Sequence, residues 1–132
     1  MEENKMTVKV EKSRILVLNN VLGEVKVGKL SKEGLYSLLD NKIELSKHVK
    51  EIQEAQKLAV EELKPEALKQ GAEETEELKA EWNKRYSEYI VKYLGESVEI
   101  NFQKLTKDDF YNLVKENDLS VEKMESVSLI MA

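Results

Sequence analysis

Between Ser31 and Tyr93 the apolar residues recur at a spacing that a helix gathers onto one side, and this stretch constrains the rest of the chain most. Leu38, Leu45, Ile52 and Ala59 fall seven residues apart, with Val49 and Leu63 at alternate half-turns. Lys42 and Gln56 interrupt that second row. After Pro65 and Gly71 the pattern resumes in Leu78, Trp82, Tyr86, Tyr89 and Tyr93. Two long amphipathic helices joined by a short break predict an antiparallel hairpin of coiled-coil character. Pro65 has no amide proton and disfavours a helical Lys64, so the first helix is expected to end near Leu63. Pro65 then opens a short helical turn through Lys69. Glu73, Glu74, Glu76 and Glu77 crowd one turn, where the positive end of a helix favours them. That puts the start of the second helix near Ala72, with Gly71 as the joint and Gly95 as a cap after Leu94. Each long helix would measure about 30–45 Å.

The flanking segments read as a base for this hairpin. Met1–Lys5 is expected to fray. Thr7–Glu11 alternates Val8 and Val10 with charged residues, the pattern of a half-buried strand, and Val98–Leu105 does the same with Val98, Ile100 and Phe102. The two strands are natural partners in a ribbon. Ser13 can cap a helix with Ile15, Leu18, Leu22 and Val25 on one face, ended by Gly23 or Gly28. The competing reading of residues 14–27 is a β-hairpin; the helix is preferred because Asn19-Asn20 and Gly23 are poorly spaced for a two-residue turn. Three helix entries share a signature, a leucine followed by a capping hydroxyl: Leu30-Ser31, Leu105-Thr106 and Leu119-Ser120. The helices they open near the C-terminus, Lys107–Glu116 and Val121–Met131, are expected to cover the ribbon, which two strands alone cannot stabilise. The fold expected is therefore α+β, mainly α: one domain over residues 1–132, with the hairpin at 31–94 and the base at 6–30 and 95–132.

Several function classes have little to build on. With no cysteine, disulfides, thiol chemistry and cysteine-based metal sites are excluded. His48 is the one histidine; Glu44 lies a turn before it, but a metal site needs three or four ligands, and no second cluster has matching spacing. One histidine without a nucleophile elbow cannot supply a triad, and the five glycines form no phosphate-binding loop. Asp108-Asp109 is a carboxylate pair, yet Asp109 falls at the third position of a helix, where capping accounts for it. No enzyme, cofactor or metal is expected. No apolar run approaches the roughly 20 residues of a membrane span, and residues 1–7 carry no signal-peptide core, so a cytoplasmic protein is the plain expectation.

What remains is surface. Trp82, Tyr86, Tyr89 and Tyr93 form an aromatic stripe that either packs on the first helix or anchors a partner. The predicted tip, Glu61–Glu81, is strongly acidic; Glu73, Glu74, Glu77 and Glu81 either solvate it or meet a basic partner. The net charge of −5, with acid and base mixed along the chain, argues against nucleic acid. Lys26, Lys29 and Lys32 near the base are too sparse to track phosphates. A two-helix hairpin leaves apolar edges such as Ile43 and Ile90 uncovered, and a symmetric homodimer forming a four-helix bundle would cover them.

The order of parts resembles an uncharacterised family of small proteins encoded by tailed bacteriophages and prophages. The resemblance rests on the Thr7–Glu11 strand, Leu-Asn-Asn at Leu18–Asn20, the charged hairpin, a Val-Glu-Ile strand, Leu-Thr-x-x-Asp-Phe at Leu105–Phe110 and the Leu-Ser entry to the last helix. The insert between the helices is shortened here to Lys64–Gly71. None of these motifs is catalytic, so no functional residues carry over. The resemblance implies a small phage product inside a bacterial cell, either virion-associated or acting on a host protein. Three expectations follow: a homo-oligomeric assembly component working through the hairpin, an inhibitor of a host protein working through the acidic tip, or a helical nucleic-acid binder.

Overall fold

The computed structural model describes residues 5–131; the fraying expected of residues 1–4 lies outside the described residues, and Lys5 already belongs to a strand. The elements run β1 (Lys5–Glu11), α1 (Lys12–Glu24), α2 (Lys32–Glu62), α3 (Glu66–Lys69), α4 (Glu76–Leu94), β2 (Ser97–Gln103), α5 (Lys107–Asn117) and α6 (Val121–Ser128). This is a mainly helical α+β fold. β1 and β2 pair antiparallel with Val8 opposite Ile100 and Val10 opposite Val98, as the alternation requires.

Residues 14–24 are helical, with Ile15, Leu18, Val21 and Leu22 buried along one side. Ser13 does not cap this helix: it lies inside the first turn, Glu11 stands at the cap without a side-chain bond, and the Lys12 amide donates to the Glu96 carbonyl at 3.0 Å. The chain passes from strand directly into helix, so the neighbouring strand's lead-in supplies the acceptor. Neither glycine terminates it, since Gly23 lies within the last turn and Val25 ends it in extended backbone. The three leucine–hydroxyl entries are helix starts. Ser31, Thr106 and Ser120 accept from the amides of Gly34, Asp109 and Lys123.

α2 is about 46 Å long, ends at Glu62, and leads through Pro65 into the short α3. The second long helix begins four residues later than Ala72. Thr75 caps it, accepting from Leu78 at 3.2 Å, so Glu73 and Glu74 precede the helix while Glu76 and Glu77 occupy its first turn. A threonine cap overrode the charge signal. The last helix stops at Ser128 rather than Met131; there the chain turns, and the Leu105 amide donates to the Ile130 carbonyl at 2.6 Å.

One apolar cluster fills the base: Val10, Ile15, Leu18, Leu22, Ile100, Phe102, Leu105, Leu113, Val127 and Ile130, with Leu38, Leu45 and Ile52 contributed by α2. The ribbon is covered chiefly by α2 and α1, not by α5 and α6, which pack on each other while α6 backs α1. α2 could take that place because its heptad face is long enough to serve the base along its first half and α4 along its second. The accessible surface, 8901 Å², exceeds by about a quarter the value expected for a compact chain of this mass. The hairpin contributes to this excess, since α4 buries no residue completely.

Candidate interaction surface

The aromatic stripe of α4 faces α2. The Trp82 indole donates to the Val60 carbonyl at 2.8 Å, one of the last carbonyls of α2 and one that the break at Pro65 leaves without a helical partner. The Lys64 ammonium lies 5.5 Å from the same ring. Tyr89 and Tyr93 stack in parallel with centroids 5.7 Å apart, and Tyr89 closes a hollow lined by Ala55, Leu58, Ala59, Glu62 and Leu63. Tyr93 lies under the Lys12 ammonium at 3.8 Å. Trp82, Tyr86 and Tyr93 are half-buried; Tyr89 is the one with an exposed face.

At Lys12 the electrostatics are worked out by three groups. Desolvation opposes its charge, but the Glu96 carboxylate at 2.9 Å and the Tyr93 phenol oxygen favour it more, so its pKa is raised above the ordinary 10.5. This fastens the open end of the hairpin to the start of α1.

The tip glutamates are all exposed. Glu81 pairs with Arg85 along α4, Glu74 lies 3.8 Å from Lys79, and among the described residues no ion pair involves Glu73 or Glu77. Trp82, Tyr89 and Tyr93 thus have neighbours within the chain, while all four glutamates are exposed, Glu74 and Glu81 beside a cation of the chain.

His48 and Glu44 are neighbours at 3.6 Å on α2. Among the described residues no group of three or more His, Cys, Asp or Glu side chains could hold a metal ion. A polar hollow beside them is lined by Asp40, Asn41, Glu44, Asn101 and Gln103. Asn41 is buried there, but its amide is fully engaged, donating to the Gln103 carbonyl at 2.9 Å and accepting from the Gln103 amide at 2.7 Å. Among the described residues no helix is long and apolar enough to cross a membrane.

Several exposed apolar residues share one side of α2. Tyr36, Leu39 and Ile43 are half exposed or more, on the side opposite Leu38, Leu45 and Ile52, and Leu58 continues that side toward the tip at 62 % exposure. A shallow groove lined by Val27, Leu35, Tyr36, Leu38, Leu39 and Lys42 runs beside it. Ile43 is uncovered as the sequence suggests; Ile90 is half-buried, and it is its neighbour Val91 that stands out on α4. The signal for the α2 stripe is visible in the sequence as Leu35, Tyr36, Leu38, Leu39 and Ile43, more apolar residues in nine positions than one helix face can hold. The chain matches no family model, no curated protein and no solved structure.

Proposed function

We propose that this is a non-catalytic protein–protein interaction protein that works through its helical hairpin as a homo-oligomeric structural component. The observation that carries the reading is the apolar stripe Tyr36–Leu39–Ile43 on the outer face of α2, opposite the face that builds the core. A helix apolar on both sides is ordinarily buried on both sides. The resemblance to small phage and prophage proteins supplies a setting for such a component, inside the bacterial host cell.

A second reading draws on the tip, where Glu73, Glu74, Glu77 and Glu81 are exposed and precede or open α4. Here the protein inhibits a host protein by docking this acidic surface on a basic one. A tagged pull-down from bacterial lysate, run beside sedimentation of the purified chain, separates the two. Self-association that survives conversion of all four glutamates to lysine supports the first reading. A monomer that retains one stoichiometric host protein, lost in the four-lysine variant, supports the second and overturns the first. Salt-sensitive retention of DNA or RNA would overturn both.

A further inference from the structure

The outer face of α2 changes character along its length. Its first half carries Tyr36, Leu39 and Ile43 with Lys47 and Lys50; its second half carries Glu51, Glu54, Leu58 and Glu62, all of them exposed. The core-building side of α2 is the other one, where Leu38, Leu45, Ile52 and Ala59 are buried; on this face Val27 borders Tyr36 and Leu39 and Tyr89 borders Leu58 and Glu62, yet all of these α2 residues stay exposed.

We propose that this face is a two-fold interface in which a second copy packs its α2 antiparallel, Ile43 of one chain against Leu58 of the partner subunit. The inference rests on the homo-oligomeric reading above and specifies its register. In that register Lys47 meets Glu54 of the partner subunit, and Lys50 meets Glu51 of the partner subunit. Leu39 covers the aliphatic stem of Glu62 of the partner subunit. Two-fold symmetry repeats each contact, giving four ion pairs at the centre and an apolar pair at each end. One like-charged pair, Asp40 near Glu61 of the partner subunit, falls at the rim.

Charge selects this register over its neighbours. Sliding the copies by one helical turn in one direction places Lys47 against Lys50 of the partner subunit, gathering four lysines at the two-fold axis. Sliding one turn the other way gathers Glu51 and Glu54 of both copies. Parallel packing sets each of these residues against its own counterpart. Like charges in contact oppose all three alternatives, while Lys47, Lys50, Glu51 and Glu54 form a pattern that is complementary to its own reversal. Lys47 lies 3.7 Å from Glu44 within its own helix, a long exposed contact that the intermolecular pair would replace.

Because the chain has no cysteine, the register can be read directly. Glu51→Cys places two thiols next to the axis and should oxidise to a covalent dimer, whereas Lys57→Cys, on the same face but far from its counterpart, should not. In sedimentation equilibrium from about 1 to 300 µM, K47E/K50E should weaken the dimer at least about tenfold, and adding E51K/E54K should restore it. The substituted positions are exposed, and unchanged circular dichroism confirms that each variant is folded. A dimer indifferent to K47E/K50E, or one cross-linked through Lys57→Cys and not Glu51→Cys, overturns this interface while leaving self-association standing. A monomer at every concentration overturns both.

Discussion

The carboxylate of Asp109 occupies the space that a side chain at Gly34 would need. Its two oxygens accept from the Ser31 amide at 2.8 Å and the Ser31 hydroxyl at 2.7 Å, and Thr106 donates to it at 3.2 Å. Ser31 caps α2 and Gly34 is three residues on, the position where a capping box usually places a glutamate that reaches back to the cap's own amide. Here that glutamate is replaced by nothing, and Asp109, the third residue of α5, reaches across to do the same work. One buried carboxylate thus serves two helix starts at once, both of which present the positive end of a peptide dipole.

Gly34→Ala should therefore destabilise the protein by about 1–3 kcal/mol, although alanine is the better helix former, because a Cβ would collide with the Asp109 carboxylate and displace it. Gly23→Ala is the control. Gly23 also sits in a helix, with nothing within 4 Å of an added Cβ, and that change should stabilise by about 0.5–1 kcal/mol. Urea denaturation of the two variants checks both signs; equal effects would mean that Gly34 is helical filler and the carboxylate can move aside.

Asn41 gives a second test. It is 1 % exposed and bonds both the amide and the carbonyl of Gln103, on the edge of β2 that faces away from β1. In effect its side chain acts as one residue of a third strand. Asn41→Ala leaves two backbone groups without partners and should cost about 2–4 kcal/mol. Hydrogen exchange at the Gln103 amide should accelerate more than at Ile100, inside the ribbon.

Why some of this was legible and some was not follows from where each signal resides. The heptads, the three leucine–hydroxyl entries, Pro65 and the two alternating strands are local, and each decided its element correctly. The exchange of capping partners between Ser31 and Asp109 is not local: Asp109 looks like an ordinary capping residue of its own helix, and only its burial shows the second task. Trp82 behaves likewise, since nothing in its own turn signals that the Lys64 amide turns to the Glu61 carbonyl and leaves the Val60 carbonyl opposite free. The candidate surface was half legible for the same reason. Counting apolar residues finds the excess around Leu39 and Ile43, but the stripe on α4 is periodic whether it faces α2 or a partner.

Lys12 links pH to the hairpin's attachment. Its folded pKa is raised, so the stability it contributes is fully present below the ordinary lysine value of 10.5 and is lost only as pH rises above that, through the folded value. Between pH 6 and about 9 the contribution should be flat. Lys12→Met should remove it at every pH in that range, at a cost of at most about 1 kcal/mol, since Glu96 is largely exposed. Thermal melts of the two proteins should run parallel to about pH 9 and converge above the lysine range. A gap that opens instead between pH 6 and 8 would assign the effect to another group.

The hairpin should loosen before the base does. α4 buries no residue completely, whereas α1 and β2 line the apolar cluster, and a hydrogen bond from Trp82 to Val60 ties α4 to the end of α2. Amides of α4 should therefore exchange through local opening, with free energies well below those of α1 and β2, which report global unfolding. Trp82→Phe keeps most of the apolar contact but gives up the indole donor. It should lower the protection of α4 and of the last turn of α2 by about 1 kcal/mol while leaving α1 and β2 unchanged. Trp82 is the single tryptophan, so the parent's fluorescence follows the same event: its emission should shift red at a lower denaturant concentration than the loss of helical dichroism. Coincident transitions, with α4 protected as strongly as β2, would show that the hairpin is held by more than its own two helices, as the proposed α2 interface would do.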